Sequence, residues 1–143
     1  MKARKTNELK LTLPALSANE SAARAIVGAF CAQLDPTVEE IADLKCAVSE
    51  AVTNCIVHAY GGEGGVIYIS VSLFDDRSIT VTIRDRGCGI ADVSLARQPL
   101  FTTNTDGERS GMGFSVMETF TDRLSVRSRI GEGTRVIMKK CLS

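Results

Sequence analysis

The sequence predicts an α+β fold, a two-layer sandwich in which a mixed, mostly antiparallel sheet carries helices on one face. Two observations carry that prediction. Ile67, Ile69, Val71 and Leu73 alternate with mostly polar residues, as do Ile79, Val81 and Ile83, and the short polar link Asp75-Asp76-Arg77-Ser78 joins the runs into a hairpin. Upstream, apolar residues recur at helical spacing behind two Ser/Thr-x-x-Glu starts.

The elements follow in order. Leu9, Leu11 and Leu13 read as a first strand. Ser17-Ala18-Asn19-Glu20 fits a capping box, opening a helix with Ile26, Phe30 and Leu34 on one stripe and Pro36 just beyond its end. Thr37-Val38-Glu39-Glu40 is a second capping box. Its long helix carries Ile41, Leu44, Val48, Val52 and Ile56 and closes at Gly61-Gly62. After the hairpin come a Gly-rich loop, a short helical stretch around Leu95 and an irregular segment from Gln98 to Ser110. A helix from near Gly113 with Val116, Met117 and Phe120 follows. Leu124, Val126 and Ser128 form a strand, and Gly131-Glu132-Gly133 turns into a last one with Val136 and Met138.

Composition narrows the function. A chain of 143 residues suits one domain, spanning 1–143, and buries roughly two-thirds of its unfolded surface without staples. Seventeen basic and seventeen acidic residues leave no net charge, which argues against a nucleic-acid binder held by phosphate neutralisation. No apolar stretch reaches the ~18 residues of a membrane span. No apolar signal core follows the basic Met1-Lys2-Ala3-Arg4-Lys5, so the reading is cytoplasmic. Five scattered cysteines and a single histidine argue for reduced thiols used mostly as small core residues and against zinc. Cys88 is set apart by its Gly-rich surroundings.

The chemistry concentrates in three places. Asp85 continues the Ile79, Val81, Ile83 series, so the period of two aims its carboxylate at the buried face. A buried carboxylate needs donors, which an adenine amino group supplies and a guanine carbonyl does not. Spacing alone leaves open a strand-end aspartate bonding the next turn's amides. Gly87 and Gly89 follow, where a ligand could lie against the backbone. Gly111-Met112-Gly113 stands at a helix start, where free amides and the helix dipole favour phosphate. Glu50, Asn54 and His58, four apart, line one polar stripe. An asparagine oxygen suits magnesium, and a carboxylate one turn earlier suits a general base, while a solvated helix face accounts for the same spacing.

Order and spacing together resemble a known family. Ser49-Glu50-Ala51-Val52-Thr53-Asn54 is similar to the N box of the GHKL (Bergerat-fold) ATPases, Asp85-x-Gly-x-Gly to their G1 box and Gly111-Met112-Gly113-Phe114 to their G2 box. The resemblance tightens to the anti-sigma factor serine kinases of Gram-positive bacteria, on their sporulation side. It is carried there by Ala32-Gln33-Leu34-Asp35-Pro36-Thr37, Ala96-Arg97-Gln98-Pro99-Leu100-Phe101-Thr102-Thr103 and Glu108-Arg109-Ser110-Gly111-Met112-Gly113-Phe114.

The resemblance implies ATP or ADP and Mg2+ as ligands, with Asn54 holding the metal, Glu50 as base and Asp85 reading adenine with Thr134. It further implies that Gly87 and Gly89 make room for base and sugar, that Arg109 reaches the γ-phosphate, and that amides from Ser110 to Gly113, beside Phe114, cradle the phosphates. Residues of about 98–110, with Thr102 and Thr103, would be the ATP lid. The family often has a lysine shortly after these threonines, where this chain has Asn104-Thr105. Arg24, placed about 200° around its helix from Ile26 and so on the exposed face, reads as a solubilising residue. The resemblance makes it a docking arginine for two proteins: a sigma factor of the sigma F type, held by a dimer of this chain, and a serine-phosphorylated anti-anti-sigma factor. Neither nucleic acid nor membrane is an expected partner. The alternatives are a stress-response (sigma B type) partner, a histidine-kinase catalytic fragment and a nucleotide-gated module without useful kinase activity. The presence of Glu50 argues against the last.

Overall fold

A computed structural model describes residues 2–98 and 113–143. Five strands form one sheet: β1 (Lys5–Pro14), β2 (Val66–Phe74), β3 (Ser78–Arg84), β4 (Arg123–Arg129) and β5 (Gly133–Cys141), in the spatial order β1-β2-β3-β5-β4. Every pairing among the described residues is antiparallel. The alternation read from sequence sets the register: Leu9, Leu11 and Leu13 face Val71, Ile69 and Ile67, which in turn meet Val81 and Ile83. A one-residue slip would turn this whole set to solvent. Ile67, Leu73, Ile79 and Ile83 are fully buried.

The α-helices among the described residues are α1 (Ser17–Cys31), α2 (Val38–Asn54), α3 (Val93–Ala96) and α4 (Gly113–Phe120), with α2 packed against both α1 and α4. Both arms of the predicted box open α2: Glu40 N–H donates to Thr37 Oγ1 (3.1 Å), and Thr37 N–H to Glu40 Oε1 (2.8 Å). Leu44, Val48 and Val52 are buried as read, with Ala47 and Ala51 beside them.

Helix α1 departs from expectation twice. Its N-cap is Leu16, with no side-chain cap, so Ser17 is already helical and its box does not form. Glu20 instead turns to α2 and accepts from Ser49 Oγ. The buried stripe is Ala23, Val27, Gly28 and Cys31, while Ile26 is 38% exposed. Close approach is the reason: a side chain at Gly28 would meet Lys45 Cδ at 3.0 Å, so small residues face α2. Leu34 leaves the stripe because the chain tightens into a 3-10 turn at Ala32–Leu34.

The face of the sheet away from the helices is polar and basic on its β3–β5–β4 side. Arg84 stands across from Arg135 and Arg135 from Arg127, with Arg123 across from Lys139 two rows farther along the same face. Among the described residues, none of the three row arginines makes an ion pair with a carboxylate. Tyr68 lies under the guanidinium groups of Arg84 (4.9 Å to the ring centre) and Arg86 (5.1 Å).

Candidate functional site

Asp85 lies one residue beyond β3 and is 5% exposed, on the buried side as its period predicts. Its Oδ1 accepts from Gly87 N–H (2.9 Å) and from Thr134 N–H (3.2 Å), and the Cys55 thiol lies beside the carboxylate. Burial pushes the Asp85 carboxyl up, and the Gly87 amide, the Cys55 thiol and the Thr134 amide pull it partly back. The strand-end reading is met: one oxygen secures the turn and fixes the carboxylate in place. Asp85 N–H donates to Thr134 O (2.9 Å), which brings Thr134 to Asp85 as expected.

Gly87 and Gly89 are required by the chain's own packing. A Cβ at Gly87 would run into the Ala59 carbonyl, and one at Gly89 (φ +78) into the Arg129 carbonyl. The chain's own backbone occupies those spaces, with Cys88 N–H donating to Ala59 O (3.0 Å) and Gly131 N–H to Cys88 O (2.8 Å). Cys88 itself is exposed.

The structure brings Asn54 beside Gly113. A Cβ at Gly113 would lie 3.0 Å from Asn54 Oδ1 and 3.1 Å from Nδ2, so the last turn of α2 abuts the first residue of α4. A residue larger than glycine would push the carboxamide away. Phe114 is buried next to this contact, at 8% exposure. Asn54 offers a hard oxygen there, with Glu50 one turn earlier, and magnesium needs few protein ligands because it keeps several waters. The donors present therefore fit that ion. His58 leaves the stripe: after Asn54 the helix widens into a π turn, Cys55–Ala59, where i,i+4 alignment fails. Arg109, Thr102, Thr103, Ser110, Gly111 and Met112 lie outside the described residues, as does all of the lid beyond Gln98.

On the other side of Glu50, a groove of about 780 Å³ runs between α1 and α2, lined by Glu20, Arg24, Ile41, Lys45, Ser49 and Glu50 among others. Arg24 borders this groove with 42% of its side chain exposed, 3.6 Å from Glu20 Oε1 and 3.4 Å from Ser49 Oγ. Its placement opposite Ile26 rested on Ile26 being buried; the arginine is instead half-buried beside α2.

Sequence reasoning missed three residues that shape this region. Cys55 touches Asp85 from the position after Asn54. Ser128 Oγ accepts from Ile90 N–H (2.7 Å) and lies 2.8 Å from Thr134 Oγ1. Tyr60 Oη accepts from Arg86 N–H (2.7 Å) and donates to Val66 O (2.7 Å). Of the thiols, Cys31 and Cys55 are buried, Cys46, Cys88 and Cys141 are exposed, and all five are free. Core use therefore holds for two of them. Burial pushes Cys31 up to about 12 and Cys55 well above the ordinary thiol range.

Residues 13–140 match the model of the histidine kinase-like ATPase domain. Anti-sigma F factor from Caldanaerobacter subterraneus subsp. tengcongensis is 56% identical over 134 residues, 94% of this chain and 93% of the relative. That of Clostridium acetobutylicum is 51% identical with the same coverage. In structure, the RsbU and RsbW domains of a Mycobacterium tuberculosis protein align with a TM-score of 0.68 at 22% identity, over 96% of this chain and 33% of that one. A histidine kinase domain from Erythrobacter litoralis EL346 aligns with a TM-score of 0.58 at 19% identity, over 86% and 61%. Both likenesses bear on the fold.

Proposed function

The chain belongs to the anti-sigma F factors within the histidine kinase-like ATPase family, and on that premise we propose that it is a nucleotide-controlled serine kinase that sequesters a sigma factor. The observation that carries the proposal is the position of Glu50. It lines the α1–α2 groove beside Arg24 and lies one helical turn from Asn54, which abuts Gly113. A carboxylate between a protein-sized groove and a nucleotide site is where a substrate serine would meet a γ-phosphate.

Asp85, with Thr134 beside it, would receive the adenine amino group. Asn54 would hold Mg2+, which supplies charge neutralisation on the phosphates when bound. Glu50 takes the proton of the incoming serine hydroxyl as its oxygen bonds to the γ-phosphorus and the bond to ADP breaks. Transfer of this kind depends mainly on positioning and charge, so one base and few cations suffice. Lid residues Thr102 and Thr103, Arg109 and the amides from Ser110 to Gly113 are assigned to the phosphates. Arg24 is assigned to both protein partners, a sigma F type sigma factor and the anti-anti-sigma substrate, and a homodimer is the expected assembly.

The test is Glu50→Gln, assayed with a purified anti-anti-sigma factor. Mg-ATP affinity should persist while serine phosphorylation falls to background. Undiminished phosphorylation would remove Glu50 as base. Nucleotide-dependent sigma binding with no phosphorylation even by the unsubstituted chain would leave a binding module.

A further inference from the structure

The π turn after Asn54 leads into a side chain that no part of the proposed reaction uses. Tyr60 follows it directly, with Tyr60 N–H closing the wide turn on Cys55 O at 3.1 Å. Its phenol spans two segments far apart in sequence, accepting from Arg86 N–H and donating to Val66 O, both at 2.7 Å. The ring crowds the Cα of Gly65, where a Cβ would clash with it, so a glycine there leaves the phenol its path. One residue earlier, the Ala59 carbonyl takes Cys88 N–H and closes over Gly87.

The two bonds bracket Gly87 and begin at Arg86, the residue next to Asp85. The loop that follows the adenine-reading carboxylate therefore hangs from the end of the helix bearing Glu50 and Asn54. With i→i+4 winding, Ala59 and Tyr60 would be rotated away from this loop. The inserted residue makes the reach, in keeping with the concentration of π turns at functional sites.

We propose that Tyr60 is a positioning residue for base recognition: it fixes the Asp85–Cys88 loop to the N-box helix, so that the base end and the phosphate end of the nucleotide are held at one separation. The inference rests on the ATP-site reading above. Its specific consequence is that loss of the phenol hydroxyl loosens selection for adenine more than grip on phosphate.

Tyr60→Phe keeps the ring against Gly65 and removes only the hydroxyl. Binding of Mg-ATP and Mg-GTP, measured by competition against a fluorescent ATP analogue, should show ATP affinity falling about tenfold with GTP affinity unchanged, so that the ATP/GTP ratio shrinks by that factor. Gly65→Ala, which displaces the ring, should reproduce the loss of ratio. An unchanged ATP affinity in Tyr60→Phe overturns the proposal. So does an equal fall for both nucleotides, because that is what a general loosening of the fold produces. Failure of the unsubstituted chain to bind ATP would instead overturn the ATP-site reading itself.

Discussion

Asp85 carries two opposed requirements. Burial raises its pKa, so the ionised carboxylate is the costly form in the folded chain, and that cost is relieved as pH falls through the raised value. The proposed adenine contact requires that same ionised form. ATP affinity should therefore weaken on acidification, starting above the ordinary aspartate range, while fold stability gains slightly from Asp85 over the same interval. Asp85→Asn keeps a carbonyl oxygen for the Gly87 and Thr134 amides, so the turn survives. It should lower ATP affinity by about 1–3 kcal/mol, the scale of a lost charge-assisted bond, and flatten the pH dependence. Calorimetric titrations at two pH values check both parts; unchanged affinity would remove the adenine assignment.

At the scale of elements, the caps show what the sequence makes legible. Thr37-x-x-Glu40 and Ser17-x-x-Glu20 are the same pattern, yet only the first forms. Glu20 is drawn to Ser49 on the neighbouring helix, a tertiary partner that no local motif reports. Periodicity placed the strands and the inward face of Asp85 correctly because those depend on alternation alone. It misplaced the α1 stripe because helix–helix approach selected small residues over large ones. The π turn, and with it the departure of His58 and the reach of Tyr60, has no sequence signature of spacing. The contact of Asn54 with Gly113 comes from the tertiary packing of α2 on α4, and nothing local to either segment reports it. At the formed cap, Thr37→Ala removes the acceptor for Glu40 N–H and should cost about 1 kcal/mol. Glu40 itself is held down to about 2, first by Thr37 N–H and then by Ser143 N–H. Its contribution is thus present above the ordinary glutamate range and is lost as pH falls towards 2. Urea denaturation at neutral pH checks the cap; a midpoint unchanged by Thr37→Ala would show that Glu40 and Ser143 secure the helix start alone.

For the whole molecule, Arg24 borders the α1–α2 groove while the Asp85 loop packs on Ala59 beyond the end of α2, so surface and nucleotide functions should separate by mutation. Arg24→Glu places two carboxylates side by side with Glu20, 3.6 Å from the present guanidinium nitrogen. Nucleotide affinity should stay within twofold, while capture of sigma factor and of anti-anti-sigma factor both weaken. Loss of nucleotide binding with partner binding intact would reverse the assignment of the groove.

The row Arg84–Arg135–Arg127 makes the sheet repel itself across three strands, since like charges in directly opposed positions are unfavourable. Dissolved salt is then a structural ingredient. Raising ionic strength from about 0.01 M to about 0.15 M shortens the screening length from about 30 Å to about 8 Å. The thermal midpoint of the free chain should climb over that range, and Arg135→Glu should abolish the climb by giving both flanking arginines a counter-charge. A rise of the same size in Arg135→Glu would trace the effect to other charges. If the climb is lost as expected, buffer strength sets how firmly the half of the sheet nearest Thr134 is held, and nucleotide affinities taken in dilute and in physiological buffers describe differently tensioned forms of one molecule.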